Sequence, residues 1–352
     1  MRFVKWIAFC IFVSAGFQAL CMEQSPQQVA SHCQSFAAEA RKYPNNFYVA
    51  SIFVGSGECH VARQGDISVL IDAGARYPGV TDSKIVSFIK ALTSGIQLAA
   101  VYCTHEHEDH SLLLRSLIDD KSIAGNRIFF GGIKENYFIV REGFTYTAIN
   151  AGKHKHKNFS VNCRRIEGRP RCLDVNGHGS IIELNFAARK IAFLGDINSH
   201  TLSALETNGC LKSGTKVGEI LECLKSADIL TTPHHASLNN GEKNIYDFLG
   251  RNNKKRVFIS SAAPFDTGAQ NPRIKNNILN AISDATDNGV FDHDITYDIV
   301  PFTCQINEKI KIPLFSTYDA SDGFVWTQIT DTGIVSIRNK HNVFCQVLPP
   351  IQ

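Results

Sequence analysis

No sign of charge dominates this chain, so bulk electrostatics names no partner. Lys and Arg number 36 against 33 Asp and Glu in 352 residues, and any pull on an anion has to be local. Low-complexity tracts, internal repeats and long Pro/Gly/Ser linkers are missing, which removes disordered, solenoid and loosely tethered organisations. There is no C-x-x-C pair, the spacing a thiolate zinc site would use, and no Gly-Lys-Ser/Thr phosphate loop to suggest nucleotide hydrolysis. After residue 21 no run is apolar enough to span a bilayer. What remains is 44% apolar, 20% charged and 10% aromatic, the usage of a folded globular protein.

The first 21 residues differ from the rest. Arg2 and Lys5 precede an apolar run from Trp6 to Phe17, and Ala19-Leu20-Cys21 leads into polar residues. That order is the one of a secretory leader cleaved near Cys21, and the run is shorter than the roughly 20 residues of a membrane span. A lipidated Cys21 is the weaker reading, because Leu20 stands where a small residue is expected. The mature protein is thus expected in a periplasm or outside the cell, not inserted in a membrane. Nine cysteines remain, an odd number, in a compartment that permits disulfides. Cys163 with Cys172 and Cys210 with Cys223 are the candidate pairs.

Runs rich in β-branched and aromatic residues at 47–54, 67–71, 96–103, 127–130, 180–186, 190–194, 229–232 and 256–260 alternate with helical patterns at 82–93, 110–118, 217–226, 243–249 and 273–282. Interleaving of this kind predicts an α/β architecture, a mixed-sheet core with helices outside. The expected organisation is a leader (1–21), an N-terminal lead (22–45), one catalytic domain (46–340) with a basic insertion at about 151–172, and a tail (341–352).

The sharpest local feature is Thr104-His105-Glu-His107-Glu-Asp109-His110, where a strand runs into a helix. Alternation on extended backbone puts His105 and His107 on one side, and Asp109 and His110 at the helix start can aim at a neighbouring ion. Imidazole and carboxylate are the ligands of zinc sites that keep a position open for water. Three later pieces fit a two-metal site. Leu194-Gly195-Asp196 ends an apolar strand on a carboxylate, Thr232-Pro-His234-His235 ends another on paired imidazoles, and His178 stands just before a third strand.

That order resembles the metallo-β-lactamase-like hydrolase superfamily, and more closely the hydrolase domain of ComEC-type competence proteins. Further matching segments are Val54-Gly-Ser-Gly-Glu-Cys59, Val69-Leu-Ile-Asp72-Ala-Gly74, Pro233-His-His-Ala-Ser237 and Ser316 to Trp326, so the likeness spans roughly residues 47 to 337. It implies a four-layer αββα sandwich with two mixed sheets and two divalent ions, zinc or alternatively manganese. One ion would sit on His105, His107 and His178, the other on Asp109, His110 and His234, with Asp196 between them and Asp72 behind a ligating histidine. A metal-bridging hydroxide would be the nucleophile, Asp109 would carry a proton to the leaving group, and His235 would bond the substrate oxyanion. Ala236 replaces the family's usual glycine, Asn271-Pro272 stands where His-Pro is usual, and the membrane channel of ComEC is absent, so DNA transport does not carry over.

Between residues 153 and 171 lie seven Lys and Arg and a single acid, Glu167. Bordering a metal cleft, this stretch would favour a phosphodiester, either nucleic acid or a small ester; its single aromatic, Phe159, is not the interleaving that single-strand binding platforms use. Hydrolysis of a lactam, lactone or thioester, and a scaffold that binds metal without turnover, are the alternatives.

Overall fold

The computed structural model describes residues 26–54, 57–75, 82–123, 127–130, 139–141, 144–146, 153–169, 173, 178–236, 245, 248–249, 256–260, 314–316, 324–338 and 344–351. The leader, Cys172, Ser237, Asn271-Pro272, Cys304 and the helical pattern at 273–282 lie outside them. Among the described residues, no helix is long and apolar enough to cross a membrane.

In chain order the first half runs α1 (Pro26–Lys42), β1 (Phe47–Ile52), β2 (Cys59–Gln64), β3 (Ile67–Ala73), α2 (Asp82–Thr93), β4 (Ala100–Cys103), α3 (Glu108–Ser111), α4 (Leu114–Asp119) and β5 (Ile128–Phe130). A hairpin, β6 (Ile139–Arg141) with β7 (Phe144–Tyr146), follows. The second half holds β8 (Lys153–His156), β9 (Phe159–Ile166), β10 (Gly179–Phe186), β11 (Arg189–Phe193), α5 (Ser199–Thr207), α6 (Val217–Ser226), β12 (Ile229–Thr231), β13 (Val257–Ser260) and β14 (Leu314–Ser316). Finally β15 (Phe324–Ile329), β16 (Val335–Arg338) and β17 (Phe344–Leu348) return to the first sheet.

Eight strands form one sheet in the order β17-β16-β15-β1-β2-β3-β4-β5, and seven form the other, β14-β13-β12-β11-β10-β9-β8. The first sheet is antiparallel from β17 to β3 and parallel from β3 to β5, and the second is antiparallel from β8 to β11 and parallel from β11 to β14. The sheets pack face to face, with Phe47, Val69 and Tyr102 of one and Val161, Ile182 and Phe193 of the other in a single buried cluster. A second cluster joins α1 and α2 to the outer face of the first sheet, and a third joins α5 and α6 to the outer face of the second. Two mixed sheets between helices make the αββα sandwich that was expected.

Helix positions follow from spacing. In α2, Ile85, Val86, Ile89 and Leu92 fall on one buried stripe. In α1 the buried positions are Cys33, Phe36, Ala37 and Ala40, the same i, i+3, i+4, i+7 pattern written in Cys and Ala around a single Phe. Pro26 opens that helix and Arg41 and Lys42 close it. Residues read as a lead thus form part of an outer layer. The basic insertion likewise belongs to the fold: β8 and β9 are a hairpin at the edge of the second sheet.

Two wholly buried arginines close helix ends. Arg63 donates to the Leu92 carbonyl at the end of α2 (2.7 Å), and Arg256 donates to the Leu224 and Lys225 carbonyls of α6 (2.8 and 2.7 Å). Terminal carbonyls have no partner within the helix and attract positive charge. Arg256→Ala is therefore expected to lower stability by roughly 2 kcal/mol, read as a lower urea midpoint at unchanged slope. An unmoved midpoint would show that the cap contributes nothing.

The disulfide expected between Cys210 and Cys223 is not formed. Cys223 is buried against Glu183 and Arg164, and burial, with the Glu183 carboxylate, pushes its thiol well up. Its side chain is committed to the packing of α6.

Candidate metal centre

The site lies where β3, β4, β11 and β12 end on the same edge of the sandwich. A backbone hydrogen bond from Ser180 N–H to the Thr104 carbonyl (2.7 Å) ties the sheets together there. Close approach depends on glycine. A Cβ on Gly74 would stand 1.5 Å from the Asp109 carbonyl oxygen, and one on Gly195, whose φ is +54°, would stand 2.7 Å from Thr104 Oγ1. These two glycines let the loop after β3 and the turn after β11 press against the His105 segment.

Asp72, at the end of β3 with a φ of 53°, is fully buried. Its carboxylate accepts the Thr104 N–H (2.7 Å) and hydroxyl (2.9 Å) and lies 2.9 Å from His110 Nδ1. An ionised carboxylate can only accept, so His110 Nδ1 donates to it and Nε2 is turned into the site. Thr104 Oγ1 is also 3.1 Å from His105 Nδ1, which turns His105 the same way. A carboxylate behind a ligating imidazole is the usual support of a metal-binding histidine.

Asp196 is the hub. Its Oδ1 is 3.1 Å from His110 Nε2 and 3.2 Å from His235 Nε2; its Oδ2 is 3.4 Å from His105 Nε2, 3.8 Å from His234 Nε2 and 3.9 Å from His107 Nδ1. The two oxygens therefore face two groups, Asp109 with His110 and His235, and His105 with His107. Within each group, Asp196 included, the potential ligand atoms all lie within 4.8 Å of one another.

Residue by residue, the structure brings His105, His107, Asp109, His110 and Asp196 together. It puts His235, expected at an oxyanion, beside Asp109 (3.5 Å), in the position expected for His234. The physical reason is the turn after β12, where both histidines take left-handed backbone, φ 49° and 51°, while His234 N–H donates to the Gly195 carbonyl (2.8 Å). That swings the second ring inward and leaves His234 at the Asp196 Oδ2 side. Consecutive non-glycine residues in this region cost on the order of 1–3 kcal/mol each, strain that gathers at functional sites. His178 stands in neither group; its Nδ1 accepts from Gly168 N–H (3.4 Å). Thr104 and Glu58 were not read as site residues. The only sequence signal for Glu58 is its place in the glycine turn before β2.

Whether these side chains suit a cation can be tested on the groups themselves. His105 Nε2 is buried without a hydrogen bond, and burial, then the His110 charge, pulls its pKa below the usual value, leaving a neutral ring with a lone pair to give. His110 and His235 point their Nε2 atoms at each other across 3.0 Å. Two protons there would repel, whereas a cation would satisfy both nitrogens and the Asp109 and Asp196 oxygens around them. The donor set fits a divalent ion of the zinc type.

Charge in the site is tightly linked. Burial opposes a proton on His235, but Asp196 and the hydrogen bond to Asp109 push its pKa up to about 10. Burial would raise Asp109, yet the His235 hydrogen bond and the His110 and His235 charges pull it down to about 2. Asp109 thus holds no proton of its own at neutral pH and can only relay one. Stability from the raised His235 is present below the ordinary histidine range and is lost as pH climbs towards about 10. An incoming ion must displace that proton. His110 carries a second, since Asp72 and Asp196 outweigh burial and hold its pKa well above the usual value, so calorimetry with Zn2+ in two buffers of different ionisation enthalpy is expected to show about two protons released per chain at neutral pH, with affinity rising as pH rises. Equal heats in both buffers would contradict it.

No protein-family profile and no curated protein sequence matches the chain. Similar solved structures include the metallo-beta-lactamase fold protein YhfI from Bacillus subtilis, at 10% identity and a TM-score of 0.41 over 67% of this chain and 93% of that one. Another is a possible metal-dependent hydrolase from Veillonella parvula, at 14% and 0.40 over 69% and 93%. A third is the Rm3 metallo-beta-lactamase, at 15% and 0.32 over 56% and 78%. At these identities and TM-scores the reading of the site rests on its own geometry.

Proposed function

We propose that this chain is a binuclear metal-dependent hydrolase acting on phosphodiesters, similar to the ComEC-like hydrolase domains, and exported by its leader. The observation that carries the hydrolase reading is the division of Asp196, one oxygen towards Asp109, His110 and His235 and the other towards His105 and His107. Bound divalent ions would supply a strong nucleophile at neutral pH, by lowering the pKa of water to about 7, and would polarise the bond to be cut. The chain's own part is to orient. Asp72 and Thr104 fix the rings of His110 and His105, and Asp109, ionised beside His235, can take a proton from water and pass it to a leaving group. His234 stands at the second oxygen of Asp196, partly exposed, where it can hydrogen-bond a substrate oxygen.

The phosphodiester assignment draws on the family resemblance. The arginines of the basic stretch contribute less than their number suggests. Arg164 pairs with Glu183 and Glu219, Arg165 with Glu167, and Arg169 bonds the Leu211 carbonyl. Lys153, Lys155 and Lys157 are exposed along β8 and its turn, but Lys155 pairs with Ser160 and Ser160 with Asn185, at the end of β10 away from Gly179 and the metal centre, so the substrate class draws on the resemblance alone.

The test is metal content of the purified protein together with hydrolysis of bis-p-nitrophenyl phosphate and of nitrocefin. About two ions per chain, turnover of the phosphodiester, and loss of turnover in His107→Ala and Asp109→Ala would support the proposal. Turnover of nitrocefin alone would replace the substrate class, and bound metal without turnover of either would favour a binding scaffold.

A further inference from the structure

Behind the site stands a second buried carboxylate with no role so far. Glu58, just before β2, is fully buried. Its N–H donates to the Asp109 carbonyl (3.0 Å) and its own carbonyl accepts the Gly74 N–H (2.9 Å), so its backbone pins the loop that presents Asp109. Its side chain shares a group with Asp72 and His110, ligand atoms again within 4.8 Å of one another. Two residues on, the buried His60 has Nε2 3.6 Å from Glu58 Oε2 and Nδ1 2.9 Å from Ser51 Oγ, while its ring packs 4.8 Å from that of Phe193 on β11. A polar line, Ser51 to His60 to Glu58, thus crosses the first sheet and ends at His110.

We infer that Glu58, held by His60 and Ser51, is a positioning residue for the ion gathered by Asp109, His110 and His235, acting through His110. This rests on the two-ion reading above. A carboxylate sealed from water is costly unless positive charge lies near. With Asp72 it puts two carboxylates behind one imidazole, which raises the pull of that ring on a cation. His105 and His107 lie outside the Glu58 group, so the effect is selective for one ion of the two.

Glu58→Gln keeps the shape and both backbone hydrogen bonds and removes only the charge, so a purely structural role would survive it. Zn2+ affinity is measured by competition with a chromophoric chelator in two backgrounds, with folding checked by circular dichroism. In His107→Ala, where the Asp109 group remains, Glu58→Gln is expected to weaken binding about tenfold or more. In Asp109→Ala, where the His105 and His107 group remains, it is expected to change binding by less than about threefold. Wild-type affinity in the first background, or equal weakening in both, would overturn the inference. Should Glu58→Gln not fold, Ser51→Ala carries the same comparison with a smaller loss in the same background, and no loss there would overturn it. A wild-type chain that binds no Zn2+ overturns the two-ion reading itself, a result visible before any Glu58 variant is made.

Discussion

Asp196→Asn is expected to lower bound metal from about two ions per chain to less than one, and to reduce hydrolysis by on the order of 10³-fold. Its two oxygens lie 3.1 Å from His110 Nε2 and 3.4 Å from His105 Nε2, the nitrogens turned into the site. The amide keeps the shape and one acceptor but loses the charge that offsets the imidazoles around it. Burial would raise the Asp196 pKa, but the His110 and His235 charges, with the His105 and His107 rings beside it, hold it well below the carboxylate range. The carboxylate is therefore present throughout the pH range in which the protein would work. Elemental analysis of the purified variant, beside a circular dichroism spectrum, is the measurement. Retention of two ions would show that Asp196 is not the bridge.

Gly74→Ala is expected to be the most damaging change outside the ligands, upwards of about 4 kcal/mol in stability. The added methyl would stand 1.5 Å from the Asp109 carbonyl oxygen and 2.7 Å from the His110 amide nitrogen. Both obstacles are backbone, so no side chain can rotate away. Either the loop carrying Asp109 and His110 moves, or the strand end carrying Asp72 does. The first breaks the hydrogen bond from Glu58 N–H to the Asp109 carbonyl, and the second breaks the contact of Asp72 with His110. Urea unfolding of purified Gly74→Ala with Zn2+ titration checks both effects, and a variant as stable and as tightly bound as wild type would refute the account.

Much of the sandwich was legible because its signals are local. The buried stripe of α2 and the apolar runs of β3, β10 and β11 each lie within about a dozen residues, where periodicity reveals an element. Helix α1 was missed because its buried face is largely Ala and Cys, too weakly apolar to stand out from Gln and Ser. The β8–β9 hairpin was missed because β8 alternates Lys with His and β9 carries Arg164 and Arg165 side by side, so charge masked a period of two. Its arginines then turned out to be structural, engaged by Glu183, Glu219 and Glu167.

For the site, ligand identity was in the sequence and ligand geometry was not. His105, His107, Asp109 and His110 announce themselves by spacing, since four donors within six residues at a strand-to-helix junction can hardly avoid a common side. Chain order also put Asp196 and the paired histidines at strand ends. Which of His234 and His235 turns inward depends on two left-handed residues in one turn and on a hydrogen bond to Gly195, 39 positions earlier. His178 sits near the right strand but spends its Nδ1 on Gly168, a contact between chain segments that no local pattern encodes. Glu58 enters only because β2 lies beside β3, which lays its carboxylate next to Asp72. The sequence by itself determined the chemistry available, imidazoles and carboxylates at the ends of strands, because residue type and short-range periodicity are local properties. The tertiary structure alone decided which atoms meet, because packing two sheets and folding their turns sets distances between residues far apart in the chain.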